Sequence, residues 1–282
     1  MYKYKLIIFF FCYFFFIVNK IYSQVIITNK DSLIINSVII ESKYKNQQEN
    51  IKNISNYFIN TPYGYGILDS TEQEKHVVCL TKFDCVTFVE TVLALNSTII
   101  SENPGLDKFI SELERIRYKN GNRSKIMSRL HYFEDWILDN TKKHYLVDLT
   151  KEIGGISYNK RISFMSENSD KYFFLRSFKE NLDSIKEIEK YLSKQNFFYI
   201  PKDKIKKIQN KILSGDVIAI TTVLDNLDIV HTGFAYWKDG ELFLIHASSK
   251  HGKVLMSTDP LSEYLLNNSK QSGIMVLRHK CN

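Results

Sequence analysis

No dense run of lysine and arginine occurs in this chain of 282 residues, although 38 basic side chains outnumber 31 acidic ones. Charge scattered in this way favours solubility and a weak attraction to anionic polymers, and it does not build a nucleic-acid interface. No internal repeat is present, so the chain is not a solenoid or an array. No close-spaced ligand pair of the kind that holds zinc occurs either. Cysteine is scarce, four residues in all: Cys12, Cys79, Cys85 and Cys281. What is present is a globular composition, with 44% hydrophobic and 24% charged residues, which suits one large domain and leaves no room for a disordered majority.

The amino terminus has its own character. Unbroken apolar residues run from Leu6 to Val18, preceded by Lys3 and Lys5 and followed by Ser23-Gln24, the pattern of a secretory signal over residues 1–23. The run is shorter than the roughly 20 apolar residues that a membrane helix needs, and an uncleaved anchor reaching Ile21 is the alternative. Removing three lysines with the signal takes the formal charge from +7 to +4, since 35 basic then face 31 acidic residues. Residues 24–282 are then one exported domain, periplasmic or secreted, with no stable membrane span. Cys79, Cys85 and Cys281 remain, an odd number, so at least one thiol stays free or pairs between molecules. A Cys79–Cys281 bridge is one pairing that would spare Cys85.

The stretch Thr81-Lys82-Phe83-Asp84-Cys85-Val86-Thr87-Phe88 places a cysteine where a helix begins. Phe88, Val89, Val92, Leu93 and Leu95 recur at helical spacing, and Asp84 before them is a good N-cap. Phe83 and Phe88 are spaced for a hydrophobic staple. Helix-start N–H groups favour an anion, so the Cys85 thiol is expected to ionise more readily than a free cysteine. An isolated cysteine is more often an inert small hydrophobe, so partners are needed before it counts as a nucleophile.

Around this centre, periodic segments near Leu33–Ile40 and Ile51–Ile59 read as N-terminal helices, and Pro62-Tyr63-Gly64-Tyr65-Gly66 as a turn-rich loop. Leu106, Phe109, Ile110, Leu113 and Ile116 share one helical face, and residues 178–195 form a charged amphipathic helix. Residues 100–195 therefore read as a helical insertion. Within them Arg129-Leu130-His131-Tyr132-Phe133-Glu134-Asp135-Trp136 mixes aromatic faces with hydrogen-bonding groups. That mixture suits either a carbohydrate site or an ordinary amphipathic helix. From Phe197 onward the chain alternates like a sheet, with strands expected at Phe197–Ile200, Asp216–Thr222, Ile229–Trp237, Glu241–Ser249, Lys253–Met256 and Gly273–Arg278.

Asp239-Gly240 is a strong hairpin signal. A two-residue loop there pairs Lys238 with Glu241, Gly233 with His246 and His231 with Ser248, so both histidines share a face as diagonal neighbours on the order of 7 Å apart. Gly233, without a side chain, leaves space beside them. A loop one residue longer would throw His246 to the other face. Two imidazoles near a helix-start thiol suit a base at His231, an orienter at His246 and a nucleophile at Cys85, with the Cys85 N–H helping to hold an oxyanion. Zinc held by Cys85, His231, His246 and His131 is the rival arrangement.

The ordered series Phe83-Asp84-Cys85-Val86-Thr87-Phe88-Val89-Glu90, Ser128-Arg129-Leu130-His131-Tyr132-Phe133, Gly215-Asp216-Val217-Ile218, His231-Thr232-Gly233, His246-Ala247-Ser248-Ser249 and Gly273-Ile274-Met275-Val276 resembles the exported N-acetylmuramoyl-L-alanine amidase-like family, within the NlpC-type, papain-like cell-wall cysteine peptidases. The likeness runs from about Thr61 to Arg278. It implies an α+β papain-like core with N-terminal helices, a helix-borne Cys85 and an antiparallel sheet or partial barrel. It implies Cys85, His231 and His246 as the catalytic residues, with Tyr63 near the nucleophile. Asp84, Arg129, His131, Tyr132, Trp136 and Ser248 are expected with Tyr63 around the substrate. The implied activity is hydrolysis of the amide joining muramic acid, in 1,6-anhydro form, to L-alanine in disaccharide-peptides, by a monomer with no metal or cofactor. A γ-D-glutamyl-diamino acid endopeptidase and a non-catalytic muropeptide-binding domain are the alternatives.

Overall fold

The computed structural model describes residues 25–42, 47–69 and 74–280. The expected signal segment and Cys281 lie outside the described residues. Two N-terminal helices, α1 (Asn29–Glu41) and α2 (Gln47–Tyr57), precede the central helix α3 (Cys85–Ile99). The first begins at a capping box in which the Thr28 hydroxyl accepts the Asp31 N–H and the Asp31 carboxylate accepts the Thr28 N–H. Then follow α4 (Leu106–Arg117), α5 (Phe133–Lys142) and α6 (Lys179–Leu192), with shorter helical segments between and after them. Among the described residues no helix is long and apolar enough to cross a membrane.

Strands β1 (Val25–Ile26) and β2 (His76–Val77) form a small parallel pair. The main sheet has eight strands: β3 (Leu146–Asp148), β4 (Ile156–Tyr158), β5 (Phe197–Pro201), β6 (Val217–Thr222), β7 (Ile229–Lys238), β8 (Glu241–Ser248), β9 (Lys253–Met256) and β10 (Gln271–His279). Their spatial order is β4-β5-β10-β6-β7-β8-β9, with β3 also on β10, and every pairing is antiparallel. The stretch 100–195, expected as a helical insertion, thus also contributes β3 and β4 to this sheet. Three-residue strands carry too little alternation to be read from sequence.

Alternation along the strands splits the core in two. Val217, Ala219, Phe234, Ile245 and Ala247 face the cluster that contains α3, whereas Ile218, Ile220, Ala235, Leu242 and Leu244 face Leu261 and Leu265 on the opposite side. Helix α3 is buried all round, with every residue from Thr87 to Asn96 inside. A helix apolar on all sides belongs in the middle of a fold. Phe88 packs edge-on against Phe234 of β7 at 5.7 Å between ring centres, and this contact sets the helix that starts at Cys85 against the strand that carries His231.

Candidate active site

The start of α3 is fixed by local chemistry. Asp84 Oδ1 accepts the Thr87 N–H at 2.7 Å and the Thr87 hydroxyl at 2.9 Å, while Thr87 Oγ1 accepts the Asp84 N–H at 3.0 Å. The Phe83 and Phe88 rings meet at 5.8 Å as the staple requires. Cys85 is consequently the first residue of the helix. Its sulfur sits among the N–H groups of Cys85, Val86 and Thr232.

Those donors favour a thiolate, but they do not prevail. Burial, reinforced by the Asp84 carboxylate beside it, pushes the Cys85 thiol up to about 12. The expected easy ionisation is therefore overturned, because the sulfur lies under β7, a strand whose packing on the helix no local motif discloses. Alkylation of Cys85 by iodoacetamide, followed on its own tryptic peptide, should keep accelerating with pH well above 9 and level only near pH 12. A plateau below pH 8 would mean that the N–H groups outweigh burial.

The hairpin has the expected register. Asp239 and Gly240 adopt φ 49° and 80°, Lys238 faces Glu241, and Phe234 faces Ile245. Gly233 and His246 lie side by side just beyond that pair, and the rings of His231 and His246 share a face, with Nε2 of the first 2.6 Å from Nδ1 of the second. The rings stand edge to face at 4.8 Å between centres. Gly233 does not provide open space as expected: a Cβ there would lie 2.5 Å from the Ile245 carbonyl oxygen and 2.9 Å from the His246 Cβ. Its smallness lets β7 and β8 close tightly enough for the two rings to bond. A bulge opposite Ile220 and Thr221, just ahead of His231, adds twist there and helps to aim the ring.

Burial lowers His231 to about 4 and His246 to about 3, so both imidazoles are neutral at neutral pH. With Nε2 engaged by His246, the nitrogen of His231 left for the thiol is Nδ1. The Thr232 N–H on the sulfur keeps Cys85 within one residue of His231 along the strand.

Cys85, His231 and Thr232 open onto one cavity of about 440 Å³. Asp84, Arg129, His131, Tyr132 and Trp136 also line it. Several of these side chains are already committed. Arg129 donates to the Leu68 carbonyl at 2.7 Å and lies 3.7 Å from Glu74, bracing the loop in front of it. His131 stacks on Phe174 at 4.7 Å and bonds the Ile126 carbonyl oxygen at 2.9 Å. The Tyr132 hydroxyl donates to Glu189 and accepts from the Met165 N–H, both at 2.7 Å. Trp136 is fully buried and stacked on Phe133.

Two expected contacts lie elsewhere. Ser248 is buried, bonded to His251 at 3.1 Å, and outside the cavity lining, because the strand that brings His246 inward carries Ser248 past the site. Tyr63 is also outside the lining, although it sits close enough to Cys85 and Asp84 for their charges to add to the burial that raises its phenol.

The sequence reading missed other wall residues. Glu90 and Arg117, both buried, pair at 2.7 Å on the cavity lining, and Arg117 also holds the Val77 carbonyl at 2.7 Å. Glu90 is five residues beyond Cys85 in the same helix, a usable signal; Arg117 lies on another helix and had none. Asp228, Tyr172 and Phe174 also line the wall. Among the described residues no group of three or more His, Cys, Asp and Glu side chains is placed to hold a metal ion. Cys79 and Cys85 are free thiols.

The fold and site together define a mixed α+β protein with a helix-start thiol and an imidazole pair at one cavity. The chain belongs to the AmiA-like family, described as N-acetylmuramoyl-L-alanine amidase-like, whose model matches residues 53–274. It is similar to the crystal structure of an N-acetylmuramoyl-L-alanine amidase from Bacteroides uniformis, at 36% identity and TM-score 0.79 over 83% of this chain and 99% of that one. A Bacteroides fragilis protein provisionally described as a xylanase is 35% identical, with TM-score 0.77, over 80% and 99% of the two chains. Protein LPG0564 from Legionella pneumophila is 26% identical, with TM-score 0.71, over 89% and 96%. No curated protein sequence matches.

Proposed function

We propose that this chain is an exported peptidoglycan amidase that hydrolyses the amide between N-acetylmuramic acid, in 1,6-anhydro form, and L-alanine, by a Cys-His-His mechanism on an NlpC-type papain-like core. The observation that carries the reading is the juxtaposition of Cys85 and His231 on one cavity, with His246 bonded behind His231 at 2.6 Å. The family match and the amidase among the structural neighbours support the substrate class.

Because the thiol and the imidazole both rest neutral, attack and proton transfer proceed together: the sulfur adds to the lactyl carbonyl carbon as His231 Nδ1 takes its proton. The Nε2–H of His231 donates to His246 Nδ1, which fixes the tautomer that leaves Nδ1 free to accept. N–H groups of Cys85 and Val86 at the helix start stabilise the oxyanion. The imidazolium then protonates the departing alanine nitrogen, the C–N bond breaks, and a thioester joins the lactyl carbon to Cys85. Water, deprotonated by His231, attacks that thioester, and the muramyl carboxylate leaves as the thiol is restored.

Of the aromatic residues on the cavity, Trp136 is fully buried and Tyr132 and Phe133 nearly so, which leaves the half-buried Tyr172 to meet the apolar face of a sugar. A glycosidase needs two available carboxylates. Here Asp84 caps α3, Glu90 is paired with Arg117, and Asp228 accepts N–H groups at the start of α5, which leaves Asp69 as the single exposed carboxylate of the lining and favours the thiol chemistry.

Mass spectrometry of products from a disaccharide-peptide tests the assignment. Free disaccharide acid plus an intact stem peptide beginning with L-alanine is expected. A stem shortened between D-glutamate and the diamino acid would replace the amidase by the endopeptidase, and intact substrate with measurable binding would leave a glycan-binding domain.

A further inference from the structure

The connection from β6 to β7, residues 223–228, delivers the chain to His231, and of its side chains Asn226 donates to Glu167 at 2.7 Å and Asp228 is engaged at its end, while the apolar ones do little to hold it. Val223 and Leu224 are 53% and 43% exposed, so hydrophobic burial does not fix this loop. Its backbone carbonyls are held instead. The Lys160 ammonium, just after β4, donates to the carbonyl oxygens of Thr222 at 2.6 Å, Leu227 at 3.1 Å and Leu224. An ammonium has three protons, and each has a carbonyl here. The Tyr158 hydroxyl lies 3.1 Å from the Asp228 carbonyl oxygen and 3.3 Å from that of Thr222, and the Asn226 carbonyl accepts the N–H groups of Ser163 and Phe164.

The loop then ends at a strut across the cavity. Asp228, buried, accepts the Glu134 N–H at 2.8 Å at the first turn of α5, where the N-cap residue Tyr132 offers no side-chain cap. Helix α5 carries Phe133 and Trp136 of one wall, and three residues beyond Asp228 lies His231 of the other. Next comes Thr232, whose N–H touches the Cys85 sulfur.

We infer that Lys160 is a positioning residue for the reaction: a tethered cation in a three-carbonyl cage that sets the loop, and through Asp228 and β7 sets His231 and the Thr232 N–H against Cys85. The inference deepens the proposed function, since it rests on His231 serving the Cys85 thiol. The ammonium is half-buried and Tyr158 also reaches the Thr222 carbonyl, so what Lys160 adds is a charged donor that ties three carbonyls of one loop to a single point.

The test compares Lys160→Met and Lys160→Ala with the wild type in two assays, muropeptide turnover and iodoacetamide alkylation of Cys85 read by peptide mass spectrometry. Both variants are expected to keep the native near-ultraviolet circular dichroism. In both, kcat/KM should fall at least tenfold and the Cys85 alkylation rate should change at least fivefold. Methylammonium, which can donate three N–H bonds in the vacated cage of Lys160→Ala, should restore both by threefold or more, and tetramethylammonium, which can donate none, should not. Values within twofold of wild type, or a folded Lys160→Ala that methylammonium fails to restore, would overturn the inference.

Should neither variant fold, the unmodified protein decides: a slowly exchanging Lys160 ammonium resonance supports the cage and its absence refutes it. If the wild type cleaves no muropeptide, the proposed function falls, while the alkylation and rescue measurements still judge Lys160.

Discussion

Cys85→Ala is expected to reduce muropeptide turnover to the buffer background, a loss of at least about 10³-fold, with the fold retained. The substitution removes one sulfur and leaves the determinants of the helix start in place, since Asp84, Thr87, Phe83 and Phe88 hold α3 without it. Chromatographic turnover assays beside a thermal melt check both halves. Cys85→Ser should be nearly as inactive. The sulfur can bond to the carbonyl carbon as its proton passes to the imidazole, whereas an alcohol in the same half-buried position is harder to deprotonate still. Retained turnover in the alanine variant would remove sulfur from the mechanism altogether.

His246→Ala should lower kcat by up to about 10⁴, the size of loss that follows when a catalytic histidine's tautomer is no longer fixed. The Nε2 of His231 would then have no fixed acceptor, and the tautomer with its proton on Nδ1, which cannot take the thiol proton, would be populated. His246→Asn keeps an oxygen close to the position of Nδ1 and should stay within about tenfold of the wild type. Because His246 lies outside the cavity lining, KM should change little in either variant. Steady-state kinetics on one disaccharide-peptide separates these outcomes. Equal loss in the two variants, or a loss confined to KM, would mean that His246 supports packing and not the tautomer.

How much of this could be read in the sequence depends on how local its cause is. The start of α3 was legible because cap and staple are made by residues within five positions of one another, from Phe83 to Phe88. The register of β7 on β8 was legible because Asp239-Gly240 permits a short list of turns, and one residue of slip would have turned His246 away from the face of His231. Strands β5 to β10 announced themselves by alternation, whereas β3 and β4, with three residues each, did not.

Features created by distant parts of the chain were misread or unseen. The Cys85 thiol was expected to be acidic because its helix is visible in sequence and the burial imposed by β7, well over a hundred residues away, is not. Gly233 reads as open space in the sequence, but the close approach of β8 fills it. Ser248 shares the strand of His246 and the face of His231, and nothing local foretold that His251 would engage its hydroxyl. Asp228 capping α5 from the other wall, and Lys160 gathering three carbonyls of one loop, are tertiary contacts with no short-range signature. The aromatic cluster from Tyr132 to Trp136 was legible as composition, and its place on the cavity came only from the path of α5.

Intact-mass spectrometry of the wild-type protein, quenched in acid during turnover of a disaccharide-peptide, reads the covalent step itself. A thioester on Cys85 bearing the disaccharide acyl group and no stem peptide is the expected species, decaying as free product forms. Steady product release without any such adduct, or an adduct that still carries the peptide, would contradict nucleophilic attack by Cys85 on the muramyl amide.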